Sequence, residues 1–431
     1  MNRDSLSSAR AVAFAALSEW RRGARFADAI IQQLLSGASL IAPDRAFATE
    51  LFYGVLRNLT LLDYWIDAQR SKPLEHDARD LLRLGLYQLF LLETPQHAAV
   101  YETVALASAK IRSLINAVLR NALREKKQLI ENARRETLSV RRSHPQFLIG
   151  RWTQNFGPEE TAALCEWNNR PAPIFARINA LKISEDEFLS EVGSARCADR
   201  TPQRGIPANF VHLTSVPHDA LARGDCYIQD PSTAAACLLL DPKPGENVLD
   251  ACAAPGGKSG YLAELMQNRG RIIACDRDPN RIRTLQDNLE RLRVSIAEFV
   301  EHDWTQGRAS SEISATSAFD RILVDAPCSN TGVMRRRVDL RWRLNARDFF
   351  RMQAEQLRIL RATIPLLKNG GVLVYSTCSI EPEENAETVL IILREFPDLE
   401  MTEQVLLLPF RDGFDGAYAA KLTRVASASS P

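Results

Sequence analysis

Up to about residue 135, apolar residues recur at three- and four-residue spacing. Ala11–Leu17, Ala46–Leu56 and Ala78–Leu92 show the pattern most clearly, and it predicts amphipathic helices. Pro43, Pro73 and Pro95 punctuate them. His144-Pro145 marks a break, Phe147–Trp152 opens a short helix, and Gly157-Pro158 ends it. Pro171–Asn179 reads as a strand leaving a turn and Glu185–Glu191 as a helix, so a small α+β subdomain is expected there. From Cys226 the rhythm changes to short apolar runs alternating with helical stretches. Asn247–Ala251, Arg271–Cys275, Ala297–Glu301, Arg321–Asp325 and Val372–Ser376 read as strands. Ser259–Met266, Pro279–Arg291, Asp348–Leu367 and Glu383–Arg394 read as helices. That alternation predicts a parallel sheet covered on both faces. The expected division is residues 1–137, helical; 138–225, linker helices and the α+β subdomain; and 226–431, α/β.

Composition adds little to this. The chain of 431 residues is 45% hydrophobic and 25% charged, ordinary for a soluble protein. A net charge of +1 leaves nucleic-acid binding to local patches. One such patch closes the helical part: Lys110, Arg112, Arg120, Arg124, Lys126, Lys127, Arg134, Arg135, Arg141 and Arg142. It reads either as a solvated face or as a nucleic-acid contact. Eight cysteines without a C-x-x-C pair, and no apolar leader, point to reduced thiols in a cytosol. No apolar run is long enough for a bilayer.

The candidate chemistry lies at strand ends, where α/β sheets bind ligands. Val248-Leu-Asp-Ala-Cys-Ala-Ala-Pro-Gly-Gly-Lys258 is strand and Gly-rich turn, followed by a helix. This is the usual site for a nucleotide-like cofactor. It matches neither G-x-x-x-x-G-K-[ST] nor a full G-x-G-x-x-G. Asp276, about 20 residues past the glycines, is placed to hydrogen-bond a ribose diol. Asp250, Asp303, Asp325 and Thr377-Cys378 also fall at or just after strand ends. Cys165, Cys197, Cys226, Cys237 and Cys275 read as small core residues, and Cys252 as a filler of the turn. His76 and His97 have no metal-ligand partners at helical spacing and read as surface or packing residues. Cys328 and Cys378 differ. They sit in Asp325-Ala-Pro-Cys-Ser-Asn-Thr-Gly332 and Tyr375-Ser-Thr-Cys-Ser-Ile-Glu-Pro-Glu-Glu-Asn385, among residues that make loops rather than cores.

Taken in order and spacing, Asp250–Lys258, Asp325–Ser329, Thr377–Ser379 and Pro382–Asn385 resemble the RsmB family (also called Sun or Fmu) of 16S ribosomal RNA cytosine-C5 methyltransferases. The resemblance covers nearly the whole chain. Asn116-Ala-Val-Leu-Arg120 matches a motif of the family's amino-terminal part, which resembles NusB. The resemblance implies an all-α NusB-like domain, a small α+β subdomain, and a Rossmann-like α/β methyltransferase domain using S-adenosyl-L-methionine. It also implies that Cys252, Ala253, Ala254, Pro255, Gly256, Gly257 and Lys258 wrap the cofactor's methionine part. Asp276 would then hold the ribose, Asp303 would lie beside the adenine, and Asp325 near the reactive end. Cys378 would be the nucleophile, and Cys328 would assist product release. The implied partner is 16S ribosomal RNA, naked or in an early small-subunit particle, met in the cytoplasm by a monomeric protein.

Two thiols suit that chemistry. Cytosine C5 is a weak nucleophile, and thiolate addition at C6 makes it enamine-like. A free thiol has a pKa of about 8.5, so the site must favour the thiolate. Lys258 is a candidate cation for this, and a carboxylic acid, Asp325, a candidate donor to cytosine N3. The rival readings are a tRNA cytosine methyltransferase, an RNA-binding assembly factor with a spent site, and an amino-methylating enzyme. Where the family's basic loop usually reads Arg-Arg-His-Pro-Asp, this chain has Arg335-Arg-Arg-Val-Asp339, a departure expected to bear on how the loop lies on RNA.

Overall fold

The computed structural model describes residues 6–70, 72–92, 94–193, 197–199, 207, 209–307, 313 and 318–425. Two compact units emerge: Met1–Arg170 with Met334–Arg343, and Pro171–Val333 with Leu344–Pro431.

The first unit is helical. Ala9–Arg21 and Ala42–Arg57 contain the first two periodic stretches, and His76–Phe90 the third up to its last two residues, Leu91 and Leu92, which lie past the helix end. Their apolar faces, through Leu17, Phe52 and Leu86, share one core with Trp65, Ile115 and Leu119. Ser8 caps the first helix, accepting from the Ala11 N–H at 3.2 Å. Residue 137, the expected boundary, lies inside this unit, which runs on through Leu138–Arg142, Gln146–Phe156 and Pro158–Asn169. His76 and His97 are exposed, and His97 stacks on Tyr101. Among the described residues no helix is long and apolar enough to cross a membrane.

Met334–Arg343 comes from far along the chain yet folds into this unit. Val338 joins the helical core. Asp339 accepts from Trp20 Nε1 at 3.3 Å and the Ala27 N–H at 3.0 Å, and pairs with Arg343 at 2.8 Å. Arg341 is fully buried and donates to Asn169 Oδ1 at 2.6 Å and the Asn168 carbonyl at 3.1 Å. Arg335 lies over the Trp167 ring, 4.1 Å from its centroid. The expected basic loop is a loop but only partly exposed. Arg335 is buried, Arg336 half-buried and Arg337 exposed. A planar guanidinium tolerates burial where carbonyls meet its donors or an aromatic face covers it.

The second unit holds two sheets. In the first, β1 (Ile174–Ile178), β2 (Cys197–Asp199), β3 (Phe210–Leu213) and β4 (Cys226–Ile228) form a four-stranded antiparallel sheet in the order β2-β3-β1-β4. Glu185–Val192 packs on it through Phe188, and its start is closed by a capping box between Ser184 and Glu187. The side chain of Cys197 lies outside the described residues.

The second sheet has seven strands: β5 (Asn247–Asp250), β6 (Arg271–Asp276), β7 (Ala297–Glu301), β8 (Phe319–Asp325), β9 (Leu367–Thr377), β10 (Leu399–Leu407) and β11 (Ala417–Arg424). Their order is β10-β11-β9-β8-β5-β6-β7. β9, β8, β5, β6 and β7 run parallel, as the alternating pattern predicts. β11 and β10 add an antiparallel edge that the pattern does not reveal. Apolar cores lie on both faces. From β5 the chain adds β6 and β7 on one side and then β8 and β9 on the other, and this switch between β5 and β8 opens the crevice at which α/β sheets take ligands.

Candidate active site

The Gly-rich turn leaves β5 at Asp250. The Asp250 carboxylate is fully buried and accepts from the Ser259 hydroxyl at 2.7 Å, while burial pushes its pKa up to about 7. Gly256 takes φ +104°, a left-handed conformation that a side chain would strain, and a Cβ there would stand 3.0 Å from Leu285. The helix Gly257–Leu265 begins at once, two residues before the predicted Ser259. Other elements hold the turn from outside. Ala253 N–H donates to the Cys275 carbonyl at 2.7 Å. Arg281 and Asn288, from the helix Pro279–Arg291, donate to the carbonyls of Ala254 (2.6 Å) and Pro255 (2.9 Å). Cys252 is half-buried.

Asp276 ends β6 in a buried position, accepting from the Asp278 N–H at 3.1 Å with Arg281 Nη1 at 3.3 Å. Its carbonyl takes the His302 N–H at 3.0 Å, which joins it to the turn after β7. There Asp303 accepts from the Thr305 N–H at 3.0 Å and hydroxyl at 2.7 Å. Burial raises its carboxyl, but these hydrogen bonds outweigh it and lower the pKa overall.

Asp325 ends β8 between two donors: Lys258 Nζ at 2.7 Å on Oδ2 and the Ser376 hydroxyl at 2.8 Å on Oδ1. Both oxygens accept, so the proton of this pair sits on Lys258. Burial pulls the Lys258 ammonium down, but the Asp325 carboxylate more than reverses this and raises it. Lys258 thus stands paired with Asp325. Through these contacts the Gly-rich turn, the Asp-Ala-Pro-Cys stretch and the Ser-Thr-Cys-Ser stretch meet at one point.

Beyond that point the two cysteines come together. Cys328 Sγ and Cys378 Sγ are 3.2 Å apart. Cys378 is half-buried and donates to Asn330 Oδ1 at 2.9 Å, while Asn330 Nδ2 donates to the Cys328 carbonyl at 2.7 Å. Cys328 is buried. The hydrogen bond to Cys378, then burial, push its thiol well above the ordinary range. The Gly332 N–H donates to the Cys378 carbonyl at 3.0 Å, and Thr377 Oγ1 to Asn385 Oδ1 at 2.6 Å. By contrast Cys165, Cys226, Cys237 and Cys275 are buried core residues, as their neighbours suggested. Burial drives the thiols of Cys165, Cys226 and Cys237 up to about 12, 11 and 12.

Sequence reasoning passed over Asn330, Ser376 and Glu384. For Asn330 a signal exists in the turn-forming stretch Ser329-Asn-Thr-Gly332, and it sits at φ +58°, a conformation asparagine tolerates better than most residues. Glu384 falls in the Pro382–Asn385 motif, but neither its partner Ser329, 55 residues away, nor the partner of Ser376, 51 residues away, shows in the sequence.

The chain that brings these three motifs together has known relatives. The chain is 34% identical over 407 residues to a probable ribosomal RNA small subunit methyltransferase B of Bacillus subtilis, covering 91% of this chain and 90% of that one. It is also 35% identical over 398 residues to the ribosomal RNA small subunit methyltransferase B of Serratia proteamaculans, covering 89% and 91%. The chain belongs to the ribosomal RNA small subunit methyltransferase B family. Within it, residues 237–423 match the 16S rRNA methyltransferase RsmB/F family, residues 7–124 the NusB family, and residues 144–202 the RsmF/B-like ferredoxin-like domain. Helices up to residue 124 thus form a NusB domain, and the seven-stranded part is a Rossmann-like methyltransferase domain. The solved structure of PH0851 superposes with a TM-score of 0.77 at 25% identity, over 98% of this chain and 99% of that one. A methyltransferase homologue from Pyrococcus horikoshii superposes with a TM-score of 0.58 at 31% identity, over 67% of this chain and 98% of that one.

Proposed function

We propose that the protein methylates C5 of a specific cytosine in 16S ribosomal RNA, with S-adenosylmethionine as methyl donor and Cys378 as covalent nucleophile. The observation that carries this reading is the pair of sulfurs 3.2 Å apart beside the Lys258–Asp325 pair. A methyltransferase acting on an already nucleophilic amine needs no thiol, and a spent site has no reason to keep two.

The site suits that cofactor. Asp325, Asp250, Asp276 and Asp303 lie at or just past the carboxyl ends of the adjacent parallel strands β8, β5, β6 and β7. Such an acidic rim fits a cationic ligand with a ribose diol. Cys252–Lys258 would hold its methionine part, Asp276 the ribose and Asp303 the adenine side. Bound there, S-adenosylmethionine supplies the electrophilic methyl group that C5 takes.

The chain's own residues do the rest. Cys378 releases its thiol proton to solvent, and the thiolate adds to C6, breaking the ring's conjugation and making C5 nucleophilic. The Lys258–Asp325 pair carries a proton beside the ring and offsets charge built up at N3 during attack. The half-buried position of Cys378, against the buried and proton-retaining Cys328, supports Cys378 as the attacking group. After transfer the C5 proton leaves to a water that Cys328 orients, the C5–C6 double bond re-forms, and the Cys378–C6 bond breaks. The protein is proposed to act as a cytoplasmic monomer on naked RNA or an early small-subunit particle.

Mass spectrometry of RNA from a strain lacking this protein tests the reading. One 5-methylcytidine should vanish from 16S ribosomal RNA, and wild-type but not Cys378→Ala protein should restore it. An intact 16S pattern with a 5-methylcytidine lost from tRNA would move the substrate to tRNA.

A further inference from the structure

Both cysteine loops hang on one buried carboxylate. Glu384 lies in the short turn Pro382–Glu384 after β9 and is fully buried. Its Oε2 accepts the Ser329 N–H at 2.8 Å and Gln356 Nε2 at 3.1 Å, and its Oε1 accepts the Ser379 hydroxyl at 2.9 Å. Ser329 directly follows Cys328, and Ser379 directly follows Cys378. Gln356, from the helix Ala346–Thr363, also donates to the Pro327 carbonyl at 3.0 Å, so Cys328 is held on both sides. The Ser329 and Ser379 hydroxyls are themselves 3.2 Å apart, and the Thr331 hydroxyl lies 3.2 Å from that of Ser379. The Glu384 carbonyl takes the Tyr375 hydroxyl.

A carboxylate out of water is costly unless donors surround it. Here burial raises the Glu384 carboxyl and the donors from Ser329, Ser379 and Gln356 pull it back part of the way. An apolar residue would fill the same space without that cost, but it could not join a backbone N–H of one loop to a hydroxyl of the other.

We infer that Glu384 is a positioning residue for the thiol pair, fixing Ser329 and Ser379 to one anchor and so setting the separation of Cys328 and Cys378. Its consequence for catalysis rests on the proposed reaction; its consequence for thiol geometry does not.

The test uses the full chain carrying Glu384→Gln, which keeps the size but turns one acceptor into a donor facing another donor. The first readout is the rate at which diamide oxidises Cys328 and Cys378 to a disulfide, identified by peptide mass. The second is kcat for methyl transfer, and the third is S-adenosylmethionine affinity by calorimetry. Loss of charge-assisted hydrogen bonds should slow both oxidation and kcat by about tenfold or more, with the cofactor's Kd held within about twofold. Ser379→Ala, which removes one contact, should shift both rates the same way by less. Should Glu384→Gln not fold, Ser379→Ala alone decides. Oxidation and turnover at wild-type rates in a folded variant, even one of lower Tm, would overturn the inference. Slowed oxidation alongside a wild-type protein that methylates no cytosine would sink the proposed reaction and leave the anchor standing.

Discussion

The Lys258 ammonium donates to Asp325 Oδ2 at 2.7 Å, tying the Gly-rich turn to the strand that leads into the cysteine loop. Losing a charged hydrogen-bond partner costs ~1.5–3 kcal/mol. Lys258→Met should therefore slow single-turnover methyl transfer by roughly 10- to 150-fold, at ~1.4 kcal/mol per decade. Folded Lys258 holds its proton more tightly than the unfolded chain does. The pair's contribution to stability is thus complete at neutral pH and fades only as pH climbs past the ordinary lysine value of 10.5. Thermal melts of wild type and Lys258→Met should differ by a constant amount between pH 6 and pH 9 (roughly the span over which lysine stays charged). Convergence of the two within that range would contradict the pairing.

Asp276 is buried at the end of β6. If it holds the ribose, Asp276→Ala should weaken S-adenosylmethionine binding by roughly 10- to 150-fold, by the same measure of a lost charged partner. Calorimetry finding unchanged affinity in a folded variant would remove Asp276 from the cofactor site.

Asp250 titrates in the opposite sense from a salt-bridged carboxylate. Burial lifts it from 3.8 to about 7, so the native state binds a proton that the unfolded chain has released. Its ionisation therefore removes stability as pH rises from about 4 to about 7. Asp250→Asn keeps an acceptor for Ser259 and has no such titration. Melts of the ligand-free proteins should show wild type losing ground to Asp250→Asn across that interval. A parallel pH dependence would refute the assignment.

For RNA docking, the exposed cations of the helical unit and the inserted Arg335 behave differently. Arg120, Arg124 and Lys127 are exposed. If they meet phosphates, removing each charge should flatten the salt dependence of RNA binding by about 0.7–0.9 per lost contact. Arg335, buried against Trp167, should leave that slope unchanged when replaced by Ala and instead lower the Tm, since a desolvated cation–π contact contributes ~2 kcal/mol. Filter binding over a salt series separates the two groups, and an unchanged slope for the exposed set would exclude them from docking.

Much of this architecture is legible in sequence because it is written locally. β5, β6 and β8 are apolar runs that end in aspartate, so both their existence and the position of their carboxylates follow from the chain. β10 leaves no such trace. As an edge strand it carries Glu400, Thr402, Glu403 and Gln404, all exposed, and its apolar Val405–Leu407 comes only at its end, after that polar stretch. The Arg335–Arg337 run is misleading for a different reason: a charge cluster looks solvated until its partner is known, and Trp167 is remote in sequence. The same limit hides Glu384. Nothing within a few residues of it reveals that its carboxylate reaches Ser329 as well as Ser379. Long-range pairing, rather than composition or periodicity, is the part of the site that only the fold supplies.

The Cys378–C6 bond is the centre of the proposed reaction, and a denaturing gel of Cys328→Ala protein with labelled substrate RNA tests it most directly. Cys328 and Cys378 are 3.2 Å apart, so the test must separate their roles in the reaction. If Cys378 attacks and Cys328 assists release, Cys328→Ala should methylate and then stall, giving a denaturant-resistant band of higher mass. Cys378→Ala and the double variant should give none, while Cys378→Ala still binds S-adenosylmethionine. A trapped complex in Cys378→Ala alone would reverse the roles of the two thiols, and turnover without any adduct in both single variants would contradict covalent catalysis at this site.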